Sequence, residues 1–261
     1  MSLPAAPRAG FGTYEIQGQA IRLPVEVRDA TTAVAFYLVS AGAAQALIDP
    51  SGLRVAMILP GRTVCSIGSV DYRDNDLGRY HEIAIAFFVR EPNARTLPFV
   101  GTLLGLLRGS LAAYIKYLPV DAEFTCEAGQ RIWGFPKFMS EIAITATGDR
   151  QSSMLTVEGK HVLTPTVATG GSRAMPARDQ ISYALRDGVL YRTRASMRGG
   201  SIGIHLRGAP LQLGTHPVAD ELRTLGLPKR PLASMTIDHM SATFYAPEAR
   251  SPVVRGGQQE V

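Results

Sequence analysis

Cysteine is scarce in this chain. Only Cys65 and Cys126 occur among 261 residues, too few for a disulfide framework or a four-cysteine zinc site. No apolar run reaches the roughly 20 residues that a membrane helix needs. The longest, Phe99 to Leu107, is broken by Gly101, Thr102 and Gly105 and closed by Arg108. The start, Met1 to Gly10, holds two prolines and an arginine but no apolar centre, so it does not read as a signal peptide. Charge of one sign is never concentrated: the net charge is +5, with no basic block that would mark a nucleic-acid arm. Phosphate-binding glycine loops and dinucleotide fingerprints are missing. The five histidines (His81, His161, His205, His216, His239) show no pair at metal-ligand spacing. Ser140, Ser152 and Ser153 lack the strand–turn–helix setting of a serine nucleophile. A soluble, cytoplasmic protein with no nucleic-acid or membrane partner and no bound metal is the expectation.

Lysine is scarce as well. Of 27 basic residues only Lys116, Lys137, Lys160 and Lys229 are lysines, so each stands out against an arginine background.

What is present is an ordinary globular composition, 46% apolar, with enough length to bury a substantial core. Residues 1–12 and 249–261 are rich in Gly, Pro, Ser, Gln and Arg and read as flexible tails around a single domain, 13–248. Strand signals dominate that domain. Arg54–Pro60, Thr63–Tyr72, Tyr80–Arg90, Glu141–Thr147, Ser201–Leu206 and Leu232–Tyr245 carry aliphatic and β-branched residues. Met154–Glu158 and His161–Thr166 flank a turn at Gly159-Lys160, and Tyr183–Arg186 and Val189–Ser196 flank Asp187-Gly188, a strong hairpin signal.

About three helices are expected. The first starts at Asp29 or Thr31 and runs to about Leu47, before Asp49-Pro50. The second covers about Ala122 to Ile132, with Asp121 as N-cap and Glu123 in the first turn, and must finish before Pro136. The third runs from His216 to Leu225. The implied fold class is α+β, with a mostly antiparallel, strongly curved sheet or partial β-barrel.

Chemistry concentrates in Glu123–Glu141, EFTCEAGQRIWGFPKFMSE. Lys137 follows the only tryptophan, Trp133, within Trp-Gly-Phe-Pro-Lys-Phe-Met, a rigid aromatic turn with no other charge. A lysine there either lays its stem along the aromatics and reaches water or is buried for a purpose. An amine of pKa about 10.4 is neutral only ~0.04% of the time at pH 7, and only the neutral form attacks a carbonyl. Desolvation can lower a lysine pKa by roughly 3–5 units, which makes a Schiff-base nucleophile. Strand alternation turns His81 and Glu82 to opposite faces. Asp71, Asp74 and Asp76 lack calcium-loop spacing and read as turn acids. Arg131 reads as a cation closing its own helix, with contact to an anion as the alternative.

The run G-x-x-x-W-G-F-P-K, with Glu123 fourteen residues before Lys137, resembles the Schiff-base segment of acetoacetate decarboxylases and their relatives. Tyr72, Asp74, Leu77, Gly78, Tyr80 and Glu82 resemble the family's loop ending in Tyr-x-Glu, and Leu222, Leu225 and Gly226 its Leu-x-x-Leu-Gly helix end. The resemblance spans about residues 14–247. It implies a homo-oligomeric carbon–carbon lyase that needs no metal or organic cofactor. Lys137 would form an iminium with a short keto acid, and Glu82 would orient that acid and move protons. Trp133 and Phe135 would line the substrate pocket, and Arg22 is a candidate for the substrate carboxylate, Arg28 matching a different family arginine. Where many of these decarboxylases have a second consecutive lysine this chain has Phe138, which leaves burial to activate the amine. A further family glutamate would fall near Ile67 and Gly68 and is missing. Decarboxylation of acetoacetate or a related β-keto acid is the first reading. A pyruvate-type aldolase or dehydratase using the same lysine, or a non-catalytic ligand-binding relative, are the alternatives.

Overall fold

The computed structural model describes residues 12–90, 99–108, 110–206 and 208–250. The expected tails lie almost wholly outside them. Of the C-terminal one, Ala249 and Arg250 are described and pair as strand with Tyr191 and Leu190.

Seven long strands form the frame: β1 (Val25–Ser40), β2 (Arg62–Asn75), β3 (Tyr80–Arg90), β4 (Ala112–Val120), β5 (Arg173–Arg186), β6 (Val189–Leu206) and β7 (Ala233–Phe244). Each pairs with the next in chain order and β7 returns to β1, so the sheet closes into a barrel. Directions cannot alternate around a ring of seven, so at least one neighbouring pair must be parallel. That pair is β4–β5. Parallel neighbours need a long crossover, and the chain between them carries a helix and most of a separate small sheet, residues 141–168. The expected α+β class with a curved, barrel-forming sheet is what the chain adopts.

The hairpins follow local chemistry. Asp187 and Gly188 both take positive φ (50° and 74°) between Arg186 and Val189, the two-residue turn that matches strand twist. The other expected hairpin turns one residue earlier than its sequence suggests. Glu158 (φ 50°) and Gly159 (φ 71°) form the turn, and Lys160 already pairs with Val157.

Among the described residues there are four helices: α1 (Ala41–Ile48), α2 (Val100–Arg108), α3 (Glu123–Trp133) and α4 (Pro217–Thr224). None is long and apolar enough to cross a membrane. His216 starts α4, its ring nitrogen accepting from the Val218 N–H. Two expectations are corrected. Residues 29–40 are strand, not helix, and α1 begins only at Ala41, capped by the Ser40 hydroxyl. Ala33, Ala35, Tyr37 and Val39 alternate into the core while β2 and β7 pair on either side. That long-range ladder outweighs local helix preference. Asp121 does not cap α3. Ala122 holds the cap position, and Asp121 instead accepts from the His81 N–H at 2.7 Å and pairs with its ring Nδ1 at 2.6 Å. α2 has no clear periodic signal in the sequence, its apolar residues being interrupted by Gly101 and Gly105.

Two apolar clusters stabilise the fold. One sets the odd positions of β1 and β3 (Tyr37, Val39, Ile83, Ile85, Phe87) against α1, α4 and the small sheet. The other draws on all seven barrel strands together with Ile132 and Trp133 of α3. Burial of one such isoleucine is worth about 1.5–3 kcal/mol. Glu82 and Lys137 are the charged residues buried beside this second cluster.

Candidate active site

The segment after α3 is shaped to deliver one side chain. Gly134 adopts the left-handed conformation (φ 64°) that ends the helix, and the Phe135 N–H turns back to the Gly129 carbonyl at 3.1 Å. Beyond Pro136, Lys137–Met139 forms a short strand parallel to Leu118–Val120 of β4. From α3, Gln130 Nε2 donates to the Lys137 carbonyl at 2.7 Å. The lysine backbone is therefore fixed from the barrel on one side and the helix on the other.

The stem of Lys137 then passes over Gly129. A Cβ on that glycine would lie 2.5 Å from Lys137 Cδ and 2.6 Å from Cε. We expect Gly129→Ala to displace the amine by about 1 Å, and misplacement on that scale can cost about a hundredfold in rate. Steady-state turnover checks this, with the thermal midpoint reporting whether the fold survives.

The amine ends inside the protein, Lys137 being only 6% exposed. Its Nζ sits 2.8 Å from Glu82 Oε2 and 4.9 Å from the centre of the Tyr80 ring. Glu82 comes from β3, two residues after Tyr80, so alternation puts both on one face. His81 faces the other way, between Asp71 and Asp121. Across the hairpin Tyr72 pairs with Tyr80, and the two rings stack at 4.4 Å. The Tyr72 hydroxyl donates to Glu82 Oε1 at 3.4 Å. Burial, and then the Glu82 carboxylate for Tyr72 and the Tyr72 hydroxyl for Tyr80, push both phenols well above their usual range, so both stay protonated.

Around this group is a narrow cavity of about 30 Å³, room for roughly one or two waters. Its walls are Val25 and Val27 of β1, Tyr72, Asn75 and Leu77, Tyr80 and Glu82, Phe244 of β7, and Trp133, Phe135 and Lys137. It lies at the barrel end where β1 and β3 begin and β2 and β7 finish. Trp133 stacks on Phe135 at 5.9 Å, and its indole N–H donates to the Tyr245 carbonyl at 2.9 Å.

Four of the five residues expected at the site are thus brought together: Lys137, Glu82, Trp133 and Phe135. Arg22 is not among them. It is exposed on the short strand Gln19–Arg22, outside the cavity wall, and Lys137 is the one cation in that wall among the described residues. Arg28 lies on the outside, paired with Asp74 and Asp76 at 2.8 and 2.6 Å. Arg131 binds Glu127 at 2.7 Å, and the helix end it was expected to close is closed by Gly134. The other lysines differ in kind: Lys116 and Lys229 donate to the Leu47 and Leu38 carbonyls, and Lys160 is exposed.

A family model described as acetoacetate decarboxylase matches residues 13–244 of this chain. The chain belongs to the acetoacetate decarboxylase family. Solved structures agree on the fold. One is the acetoacetate decarboxylase of Legionella pneumophila, 15% identical with a TM-score of 0.62, the match covering 98% of this chain and 94% of that one. Another acetoacetate decarboxylase is 16% identical with a TM-score of 0.61, covering 90% and 92%. The enduracididine biosynthesis enzyme MppR complexed with pyruvate is 14% identical with a TM-score of 0.58, covering 88% and 91%. No curated protein sequence matches this chain.

The acetoacetate decarboxylase family signature leaves parts of the wall unannounced. Tyr72 and Tyr80 belong to the motif that carries the resemblance, yet their contact with the lysine–glutamate pair is visible only once the β2–β3 register is known. Val25, Val27 and Phe244 come from distant strands and carry no local signal.

Proposed function

We propose that this protein is a Schiff-base-forming lyase that decarboxylates acetoacetate or a related β-keto acid. The observation that carries the reading is the buried Lys137–Glu82 pair, 2.8 Å apart, at the wall of a cavity whose other side chains are aromatic and aliphatic apart from Asn75.

In the scheme, Glu82 takes a proton from the Lys137 ammonium, which frees the nitrogen lone pair to attack the substrate ketone. A proton passes from the attacking nitrogen to the former carbonyl oxygen, giving the neutral carbinolamine, and protonated Glu82 then protonates its hydroxyl, which leaves as water and gives the iminium. The iminium draws in the electron pair of the adjacent carbon–carboxylate bond. Carbon dioxide departs and an enamine forms. Protonation of the enamine carbon and attack of water on the regenerated iminium release a ketone and the free amine.

The mostly aromatic and aliphatic lining supports loss of the carboxylate over its retention. A carboxylate held against such walls is poorly solvated, whereas carbon dioxide is neutral. A second reading keeps the carboxylate: condensation or dehydration of a pyruvate-type acid on the same lysine. It has the support of MppR, a structural neighbour complexed with pyruvate.

Carbon dioxide release from acetoacetate, measured beside condensation of pyruvate with an aldehyde, separates the two. The first reading expects the gas and no condensation product. Condensation alone would overturn it. Assembly as a homo-oligomer and a cytoplasmic location belong to the same proposal, and light scattering after size exclusion tests the assembly.

A further inference from the structure

Glu82 has two carboxylate oxygens and they have different neighbours. Oε2 faces the Lys137 amine at 2.8 Å, and Oε1 accepts from the Tyr72 hydroxyl at 3.4 Å. Tyr72 is itself held. Its ring stacks on Tyr80 at 4.4 Å with an interplanar angle of 21°. A single hydrogen-bonded chain therefore runs Tyr72–Glu82–Lys137, with the Tyr80 ring stacked on its first member, all four residues at most 8% exposed. Tyr80 closes it into a loop, because its ring also lies beneath the lysine nitrogen at 4.9 Å.

We propose that Tyr72 is a positioning residue for this site, acting through Glu82: it anchors Oε1 so that Oε2 stays aimed at the nitrogen of Lys137. This deepens the Schiff-base reading and rests on it. A free carboxylate rotates about its last bond and can offer its oxygens in many directions. Buried with one oxygen occupied, it keeps one direction. The Tyr72 hydroxyl suits the role because burial and the carboxylate beside it keep it protonated, so it donates throughout the cycle. The other titratable group that faces the pair is Tyr80. Tyr80 is the support behind Tyr72, and its ring face is suited to a cation at the same point, the ammonium before reaction and the iminium after it.

The test is a double-mutant cycle on the rate of carbon dioxide release and on the rate at which borohydride traps the keto acid. Tyr72→Phe removes one oxygen and keeps the ring stack. A hydrogen bond to a charged partner is worth enough that kcat should fall about tenfold to a hundredfold, with KM within about twofold. In an E82Q background the same change should cost nothing further, since Tyr72 then has no carboxylate to hold. A Tyr72→Phe protein as fast as the parent overturns the proposal, as does an equal loss in the E82Q background. If Tyr72→Phe proves unstable, Tyr72→Met takes its place; it too removes the hydroxyl, and its loss should likewise vanish in E82Q. A parent protein that gives neither carbon dioxide nor a trapped adduct overturns the Schiff-base reading and this inference with it. A trapped parent with an unaffected Tyr72→Phe variant overturns this inference alone.

Discussion

Lys137→Arg is expected to leave a folded protein that captures no keto acid and turns none over. Arginine keeps a positive charge beside Glu82, which a neutral residue would leave buried without its cation at a cost of about 3–5 kcal/mol. The guanidinium is protonated at every accessible pH and has no lone pair to offer a carbonyl. Removing the nucleophile of a covalent enzyme costs on the order of 10⁶ in kcat, so turnover should drop by at least about 10⁴-fold. The measurement is carbon dioxide release at saturating substrate, with the thermal midpoint recorded in parallel. A folded Lys137→Arg protein with more than a few per cent of parent activity would move the chemistry to another group.

Glu82→Gln should give the second largest loss while leaving the covalent step possible. The amide keeps the size of the side chain and can still meet Lys137, but it cannot take the ammonium proton or return it to the carbinolamine. Positioned acid–base catalysis contributes typically 10²–10⁴-fold. Formation of the adduct should slow by about that factor, while the adduct still appears on Lys137. The contrast between the two variants separates the nucleophile from the proton carrier, because Lys137→Arg loses the adduct and Glu82→Gln only delays it.

The sequence carried the covalent centre further than it carried the walls. Lys137 stood out as one of four lysines, set in an aromatic turn, and the structure buries it against a carboxylate. The strands Tyr80–Arg90 and Glu141–Thr147 have the bounds their patterns suggest, and α3 ends before Pro136 as the proline demands. These features depend on neighbours within a few residues.

The misread stretch, Asp29 to Ser40, depends on distant ones. Its alanines and Tyr37 fit a helix as readily as a strand, and the choice was made by β2, about thirty residues away, and β7, about two hundred away. Asp121 failed as a helix cap for a similar reason, since its partner His81 lies forty residues earlier. The cavity wall is assembled from strand ends that meet only when the barrel closes. Arg22 had nothing but an approximate position in the chain to recommend it, and its strand lies outside the cavity wall.

The central claim is that the buried amine of Lys137 bonds covalently to a keto acid. Incubating the protein with acetoacetate, reducing with borohydride and mapping the peptides by mass spectrometry tests this in one step. A reduced adduct is expected on the peptide containing Trp133–Lys137, formed only when the keto acid is present. An unmodified Lys137, or an adduct confined to Lys116, Lys160 or Lys229, would contradict it.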